Sequence, residues 1–301
     1  IQKDKSDNLP SAKGAAGEIL LVMDSALYAG ELGFELRQTF RAEMPGLPRE
    51  EARFKLLYIH PLRFNTVLQS AKNIIFVTVL DDNSLANRRL KGYFTKESIE
   101  AIERDPSLYM LAKKDDFARG QEILHLFGKT EEVLIENIIK NRSKLQSHFD
   151  EIENRRMYQS LYTVKHRSGI TSVIEQDFNA SLLVPNAYEI AIHEDDFIWL
   201  RHFSREVDRN VFIHYTDYTS SDQFSKENII QLRNDIAKRF LYGDPDNPNS
   251  YMTTEVKNFE VASREINFNG KFAIETRALW RTNNLSMGGP FLSYTLVDEA
   301  A

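Results

Sequence analysis

The sequence predicts an α+β protein with an N-terminal α/β layer, a long connecting helix and a C-terminal, mostly antiparallel sheet. Three observations support this fold class. Strand-like and helix-like patterns alternate over residues 18–80, apolar residues recur at helical spacing over residues 130–162, and short β-rich runs crowd together after residue 180. The predicted division is a flexible tether (1–17), an α/β subdomain (18–128), a linking helix (129–165) and a β-rich subdomain (166–301).

The N-terminal elements follow from local patterns. Residues 1–17 are polar and then rich in Ala and Gly, without apolar periodicity, which is typical of a tether. Residues 18–24 are mostly apolar, as expected for a strand that is buried on both faces. The helical spacing of apolar residues over 32–40 predicts a helix, which the Pro45-Gly46-Leu47-Pro48 segment ends. Further strands are predicted over residues 54–59 and 73–80.

The linking helix is predicted from a single apolar stripe, whose other face is rich in Glu, Lys, Arg and Asn. Most of its apolar residues are three, four or seven positions apart: Leu134, Ile138, Leu145, Phe149, Ile152 and Leu161. Because such a helix is long for a globular protein, we expect it to lie across a sheet and to link the two halves.

The clearest local signal is a β-hairpin around Asn269-Gly270, the dipeptide that a type I′ turn favours. With a two-residue turn, Arg264 faces Glu275, Ala262 faces Arg277 and Phe259 faces Trp280. One hairpin face is then an expected core face, with Phe259, Val261, Phe272, Ile274, Ala278 and Trp280. The opposite face, which we call the charged face, carries Glu260, Arg264, Lys271, Glu275 and Arg277. A helix is predicted before the hairpin, over residues 225–241, with Ser225 as its N-cap.

Composition excludes several classes of protein. The chain has 301 residues, of which 42% are hydrophobic and 27% charged, as in an ordinary soluble globular protein. The net charge is −6 and no basic run is present, so nucleic acid is not an expected partner. The absence of cysteine excludes disulfides, thiolate metal sites and cysteine nucleophiles. No apolar run approaches the roughly 20 residues that cross a bilayer.

Three C-terminal segments resemble the signature blocks of the domain of unknown function 4837 family. They are the runs SYMTTE at 250–255, AIETRALW at 273–280 and MGGPFLS at 287–293. The run GEILLVMD at 17–24 and Asn73-Ile74-Ile75 also resemble it, so the resemblance is expected to cover nearly all of the ordered chain.

The resemblance implies an uncharacterised lipoprotein of the Bacteroidetes-type cell envelope, periplasmic or surface-exposed. It brings no known activity, so no catalytic residue is carried over from it. The lipidated cysteine of such proteins is absent from this chain, so the membrane is an expected partner only through an anchor that precedes Ile1. Family members continue past the last strand into a further strand and helix, so the final sheet edge is expected to be uncovered here.

Two groups of residues could hold a metal. Asp244, Asp246 and Glu255 have the spacing of positions one, three and twelve of a calcium loop, although Pro248 and Asn249 do not fit it; the alternative is a Pro/Asn turn after a helix. His193, His202 and His214 lie in neighbouring β segments near several carboxylates and could bind zinc. Chance proximity in a chain with seven histidines is the preferred explanation, so no metal is predicted at either group.

The predicted function is non-enzymatic binding or a structural role, with another envelope protein or an envelope component as the partner and no cofactor. It rests on the lack of a Gly-x-Ser-x-Gly elbow, a P-loop or a dinucleotide fingerprint, and on the charged face as a docking surface. The alternative is a metal-assisted hydrolase that uses one of the three histidines with a carboxylate.

The candidate binding residues are Arg277 and, beside it, Glu275, Tyr251 and Arg264. Opposite the small Ala262, the guanidinium of Arg277 is expected to be uncovered and able to bind a carboxylate or phosphate with two hydrogen bonds. For these residues the preferred interpretation is structural: Arg264 and Glu275 form a cross-strand ion pair worth under ~1 kcal/mol, and Arg277 merely pairs with a carboxylate of the sheet. Binding by Arg277 is the competing interpretation.

Overall fold

A computed structural model describes residues 8–205, 207–241, 244, 246–247 and 249–297. The fold is α+β, with parallel strands in the N-terminal part and antiparallel sheets in the C-terminal part. The chain divides into two compact units. Unit 1 comprises Ile1–Glu43 and Glu51–Tyr158, and unit 2 comprises Met44–Glu50 and Gln159–Ala301.

Unit 1 is built on a five-stranded sheet. Its elements are β1 (Glu18–Val22), α1 (Ser25–Ala29), α2 (Glu31–Phe40), β2 (Lys55–Ile59), β3 (Asn73–Val79), α3 (Leu85–Lys91), α4 (Lys96–Arg104), β4 (Met110–Lys114), β5 (Glu122–Gly128), α5 (Glu131–Lys140) and α6 (Arg142–Tyr162). The strand order is β2-β1-β3-β5-β4, and only β4 runs antiparallel to its neighbour. The predicted α/β layer is confirmed.

Helices bury both faces of this sheet. Ile19 and Leu21 of β1 pack in one apolar cluster with residues of α2, α5 and α6, whereas Leu20 and Val22 pack in a second cluster with α3. Because successive side chains of a strand point to opposite faces, this alternation requires a strand that is apolar throughout. The continuous apolar run of β1 therefore reflects burial on two sides.

The described part of the predicted tether is ordered. Backbone hydrogen bonds join Ala12 to Arg119 and Lys13 to Ser70, and Ser11 and Lys13 form isolated β-bridges within unit 1. Residues 1–7 lie outside the described residues. The expectation of a tether extending to residue 17 is therefore wrong, because backbone pairing needs no apolar periodicity and leaves no such pattern in the sequence.

The predicted linking helix consists of two helices. Thr130 caps α5, which ends at Lys140. At its C-cap, Asn141, the backbone leaves the helical region with φ −112° and ψ 21°. The second helix, α6, then starts at Arg142. Leu134, Leu145 and their neighbours still form one buried stripe against the sheet of unit 1, which is why the apolar spacing did not reveal the break.

Unit 2 contains a three-stranded and a four-stranded sheet. Its elements are α7 (Ser168–Phe178), β6 (Glu189–Glu194), β7 (Phe197–His202), β8 (Arg209–His214), α8 (Lys226–Phe240), β9 (Met252–Glu255), β10 (Ala262–Phe268), β11 (Lys271–Thr282) and β12 (Gly288–Leu296). The first sheet has the order β6-β7-β8. In the second, β11 lies between β12 and the pair β9 and β10. Helix α7 packs on one face of β7 and α8 on the other.

The hairpin prediction is confirmed in its register. Arg264 pairs with Glu275 and Ala262 with Arg277, and Asn269 and Gly270 both have positive φ, as a type I′ turn requires. The register fails beyond Ala262: Trp280 pairs with Thr254 of β9 instead of Phe259.

The expected core face of the hairpin is only partly buried. Ile274 and Ala278 are buried, but Phe272 is 51% exposed and Phe259 is 43% exposed. Trp280 is half-buried, so it is not the core residue that was predicted. The reason is that α8, on the same side as Thr254, covers only part of this face.

Candidate functional site

Glu275 lies at the centre of the charged face. Glu275 is only 5% exposed. Arg264 donates from Nε to Glu275 Oε1 at 2.9 Å, and Arg277 donates from Nε to the same oxygen at 3.0 Å. Two guanidinium groups therefore converge on one carboxylate oxygen, which leaves this trio with one surplus positive charge.

The electrostatics of Glu275 reflect this pairing. Burial acts to raise the pKa of Glu275, but the hydrogen bonds from Arg277 and Arg264 outweigh it and lower the pKa below its usual range. Burial, followed by the negative charge of Glu275, raises the pKa of the Tyr294 hydroxyl. Glu275 is thus a fixed anion that holds the two arginines in place.

Apolar side chains surround the trio. Tyr294 pairs with Glu275 across β11 and β12, and Leu292 pairs with Arg277. The rings of Tyr294 and Phe268 lie 4.9 Å apart, and they belong to the strands on either side of Ala273. Tyr294 and Leu292 are each more than one-third exposed. The charged residues of this face are therefore bordered by exposed apolar and aromatic side chains.

The Met44–Glu50 segment packs on this sheet as part of unit 2. A Cβ atom at Gly46 would lie 2.9 Å from Cβ of Arg277 and 3.0 Å from the backbone N of Ala278. Gly46 also has φ +76°, which L-residues rarely adopt. The sequence signal of this segment, Pro-Gly-Leu-Pro, predicted only the end of a helix, and nothing local could indicate the strand on which it packs.

Beside Arg277 on β11 is a small cleft that we call the Trp280 cleft, with a volume of about 200 Å³. Most of its lining is apolar or glycine, and its charged members are Glu255 and Arg281. The lining residues are Pro48, Glu255, Phe259, Leu279, Trp280, Arg281, Gly288 and Gly289. They come from the Met44–Glu50 segment, from β9, β11 and β12, and from the loop after β9.

The two glycines leave room at this cleft. Gly289 pairs with Trp280, and a Cβ on Gly289 would lie 3.1 Å from the indole Nε1. A Cβ on Gly288 would lie 2.7 Å from the backbone oxygen of Trp280. Glycine at positions 288 and 289 of the Met287-Gly288-Gly289-Pro290 run is therefore explained by close backbone and indole contacts.

Glu255 is fully occupied within the protein. Its Oε1 accepts the backbone N–H groups of Lys257 and Asn258, and its Oε2 lies 3.0 Å from Arg281 Nε. The backbone hydrogen bond from Lys257 is the main cause that lowers the pKa of Glu255. Arg281 is held by this carboxylate at the cleft, with its side chain 47% exposed.

The structure does not bring Tyr251 to Arg277. Tyr251 exchanges backbone and side-chain hydrogen bonds with Asn283, and its ring lies 5.6 Å from Lys238 Nζ. The adjacent Met252 pairs with Thr282, five positions along β11 from Arg277, which corresponds to about 17 Å. Of the four candidate binding residues, Arg264, Glu275 and Arg277 form one site and Tyr251 does not belong to it.

The three histidines are also separated. His193 pairs with Ile198 and His214 with Phe197, two consecutive residues of β7, so the two imidazoles lie on opposite faces of the sheet. His202 is at the other end of β7. These three candidates therefore do not form the zinc site that the sequence left open, because nearness in sequence does not take the strand alternation into account.

Two of these three histidines, His193 and His214, each lie close to a single carboxylate instead. His193 Nε2 lies 3.0 Å from Asp177 Oδ2, and His214 Nε2 lies 3.6 Å from Asp196 Oδ2. Burial lowers the pKa of His214. Across the residues that the structure describes, no three His, Asp or Glu side chains come together as metal ligands would. The hydrolase hypothesis loses the site that motivated it.

The calcium hypothesis meets a similar obstacle. Glu255 belongs to β9 and uses both carboxylate oxygens within the protein. Asp244 Oδ1 accepts the backbone N–H of Asp246 at 3.0 Å, which is a turn contact. Pro248, which breaks the loop pattern, lies outside the described residues. The alternative reading, a Pro/Asn turn, fits these contacts.

Sequence reasoning missed a buried polar cluster in unit 1. Asn73, the first residue of β3, donates to Glu153 Oε1 at 2.8 Å, and Arg156 donates to Asn73 Oδ1 at 2.7 Å. Arg156 also donates to backbone oxygens of Lys72 and Gly120. Since ligands of parallel α/β sheets bind at the carboxyl ends of strands, this cluster at the amino end is a structural clamp between α6 and the sheet.

Comparison with known families divides the chain within a few residues of the boundary after Tyr158, although the Met44–Glu50 segment of unit 2 lies inside the N-terminal match. Residues 12–162 match a domain of unknown function, DUF8532, over half of the chain, and residues 167–301 match a second one, DUF4837. The chain belongs to the DUF8532 family, and its C-terminal part matches the DUF4837 family. No curated protein and no solved structure was found to match it. In the described residues, no helix combines the length and the apolar composition needed to cross a membrane.

The family assignment corrects the extent of the resemblance. The DUF4837 match does not reach residues 17–24 or Asn73-Ile74-Ile75, which lie in the DUF8532 domain. The three C-terminal segments do lie in the DUF4837 domain, where they include β9, most of β11 and the first part of β12. Each of them supplies residues to the Trp280 cleft, so the segments that carry the resemblance meet at one place.

Proposed function

We propose that this chain is a non-enzymatic binding protein of the cell envelope. In this proposal a lipid on a residue that precedes Ile1 anchors it to a membrane, and the charged face binds an anionic group of another envelope protein or envelope component. The observation that carries the binding role is the trio of Arg264, Glu275 and Arg277, in which one carboxylate holds two cations at a partly exposed surface.

The free nitrogens of the arginines support this role. Arg277 uses only Nε within the described part of the chain, so its Nη1 and Nη2 have no hydrogen-bond partner there. Arg264 uses Nε and Nη2, and its side chain is 62% exposed. Guanidinium groups with free donors bind carboxylate or phosphate oxygens strongly. Glu275 fixes both groups before a ligand arrives, which reduces the entropy lost on binding.

The binding role is tested by calorimetric titration with inorganic phosphate and with an oligoglutamate peptide. Arg277→Gln is expected to weaken binding of at least one probe about tenfold, since a charged hydrogen bond contributes ~1.5–3 kcal/mol. Arg239→Gln is the matched control, because Arg239 also pairs with one carboxylate, Asp196, on the surface of unit 2. If Arg277→Gln binds both probes as tightly as the natural chain, with or without a lowered melting temperature, the trio has a structural role and the proposed binding role is rejected.

The location is tested on the full-length natural protein. Membrane fractionation with labelled fatty acid should place the protein in the envelope with the label attached. An unlabelled protein in the cytosolic fraction would overturn the proposed location while leaving the binding test unaffected.

A further inference from the structure

The Trp280 cleft has the size of a site for one side chain. Its volume is about 200 Å³. Pockets for drug-sized ligands have about 300–1,000 Å³, and a cavity of about 150 Å³ is enough for a benzene ring. The cleft is therefore suited to a single aromatic or branched apolar group and is too small for a long acyl chain.

The apolar part of the cleft has several origins. Pro48, Phe259 and Leu279 line it, and Gly288 opens it opposite Arg281 because no side chain is present there. Phe259 is 43% exposed, although it lines this apolar recess. An apolar group in the cleft would remove the exposed face of Phe259 from water, which favours binding.

Arg281 gives the cleft a charged end. Strand alternation places Arg281 on the same face of β11 as Leu279, with Glu255 of β9 beside it. Glu255 contacts Nε of Arg281, and its other oxygen is used by two backbone N–H groups. Within the described chain, Nη1 and Nη2 of Arg281 have no partner, so a positioned guanidinium edge lies free at an apolar recess.

From this arrangement we propose that the Trp280 cleft binds the C-terminal residue of a partner peptide. Its apolar side chain lies against Pro48, Phe259 and Leu279, and its terminal carboxylate accepts hydrogen bonds from Arg281. In a C-terminal residue the carboxylate carbon is bonded directly to the Cα that carries the side chain. One residue can therefore present both groups to a cleft that Arg281 and the apolar side chains line together. The proposal deepens the proposed binding role of the same sheet and rests on it for the assumption that the partner is a protein.

The test is calorimetric titration of the full chain with three tripeptides acetylated at the N-terminus. They are Gly-Gly-Phe as the free acid, Gly-Gly-Phe as the C-terminal amide, and Gly-Gly-Gly as the free acid. The Phe acid is expected to bind at least about tenfold more tightly than the other two, since each of them lacks one of the two recognised groups. Equal binding of the Phe amide, or no binding of the Phe acid at millimolar concentration, would overturn the proposal.

Variants locate the site. Arg281→Gln and Phe259→Ser should each weaken binding of the Phe acid about tenfold, whereas Arg239→Gln should leave it unchanged. Arg281 and Phe259 are both substantially exposed, and melting temperatures of the two variants report whether the fold is retained. Binding that survives both substitutions would overturn the site.

The outcome is separable from that of the proposed function. If Arg277→Gln abolishes binding of the Phe acid and Arg281→Gln does not, the peptide binds at the trio. That result would overturn this inference and support the proposed function. Binding of phosphate or oligoglutamate without binding of any tripeptide would have the same meaning. Binding of the Phe acid through Arg281, without binding of either anion at Arg277, would support the cleft and reject the role of the charged face.

Discussion

The Asn73–Arg156 cluster of unit 1 and the charged trio of unit 2 use their polar groups in opposite ways. In unit 1, both faces of β1, β3 and β5 are buried, and the polar side chains of Asn73 and Arg156 are used in contacts within the protein. In unit 2, β11 is buried in its middle, yet Arg264 and Arg277 retain free donors at the surface.

The difference indicates where a ligand can be recognised. A polar cluster whose donors and acceptors are all used stabilises the fold and offers nothing to a partner. A cluster that is fixed from inside and still has free donors at the surface is ready for binding. On this basis we place the proposed binding role in unit 2.

The largest effect should come from the aromatic core of unit 1. Phe149 is fully buried, with its ring centroid 5.8 Å from that of Phe40 and 6.0 Å from that of Phe54. Phe149→Ala should lower the free energy of unfolding by about 3–5 kcal/mol. Phe272→Ala in unit 2, where the ring is half exposed, should cost under about 1 kcal/mol. Urea unfolding followed by circular dichroism measures both free energies of unfolding. Equal losses in the two variants would contradict the contrast between the buried core of unit 1 and the partly exposed sheet of unit 2.

The next effect concerns the Met44–Glu50 segment. Gly46→Ala should lower the free energy of unfolding by about 2–3 kcal/mol. The backbone at this position is in the left-handed region, which alanine disfavours, and the new Cβ would also be too close to Cβ of Arg277. Gly120→Ala is the matched control in unit 1: its φ is +82° and nothing lies within 4 Å of its Cβ position, so it should cost only about 1 kcal/mol. Urea unfolding of the two variants gives the difference. Equal costs would mean that the segment does not press on β11.

Removal of the central carboxylate should follow. Glu275→Gln is expected to cost about 2 kcal/mol at pH 7, since two charged hydrogen bonds are weakened. The pKa of Glu275 is lowered in the folded state, so its contribution is present above its ordinary value of 4.5 and is lost as pH falls below that value. The difference from the natural chain should therefore shrink by pH 4 in urea titrations. Glu265→Gln, an exposed change on β10, should show neither effect.

Unit 1 should respond to acid in a different pH window. His125 is buried between aromatic rings, including Phe76 and Phe94, and neither ring nitrogen has a hydrogen-bond partner within the described residues. Burial lowers its pKa from 6.5 to about 4. Its stabilising contribution is thus complete above pH 6.5 and is lost as pH falls toward 4.

The corresponding variant is His125→Phe. On moving from pH 7 to pH 5, the natural chain should lose about 1–2 kcal/mol more free energy of unfolding than the variant does. The reason is that the variant has no proton to take up at this position on unfolding. Urea midpoints at the two pH values measure this change. A difference that is the same at both would show that His125 titrates normally in the folded protein.

Local chemistry explains which parts of the structure could be predicted. The hairpin register follows from Asn269-Gly270 because a two-residue turn fixes every pair up to Ala262. The strand β1 follows from an unbroken apolar run. The break at Asn141 could not be predicted, since no Pro or Gly marks it and the buried stripe continues across it.

Only the part of the site that lies within one hairpin could be predicted from the sequence. Arg264, Glu275 and Arg277 could be grouped because one hairpin contains all three. Tyr251 and the three histidines were grouped by nearness in the chain, which does not specify strand ends or faces. The Trp280 cleft needed Pro48, which lies more than 200 positions from Trp280 and has no local signal that relates them.

The position of Met44–Glu50 affects how this protein should be divided for expression. A fragment cut at the boundary of the DUF4837 match, residues 167–301, would lack Gly46 and Pro48. It would expose β11 around Arg277 and lose one side of the Trp280 cleft. Such a fragment could fold and still fail every binding assay, so ligand screens should use the undivided chain or supply residues 44–50 as a separate peptide.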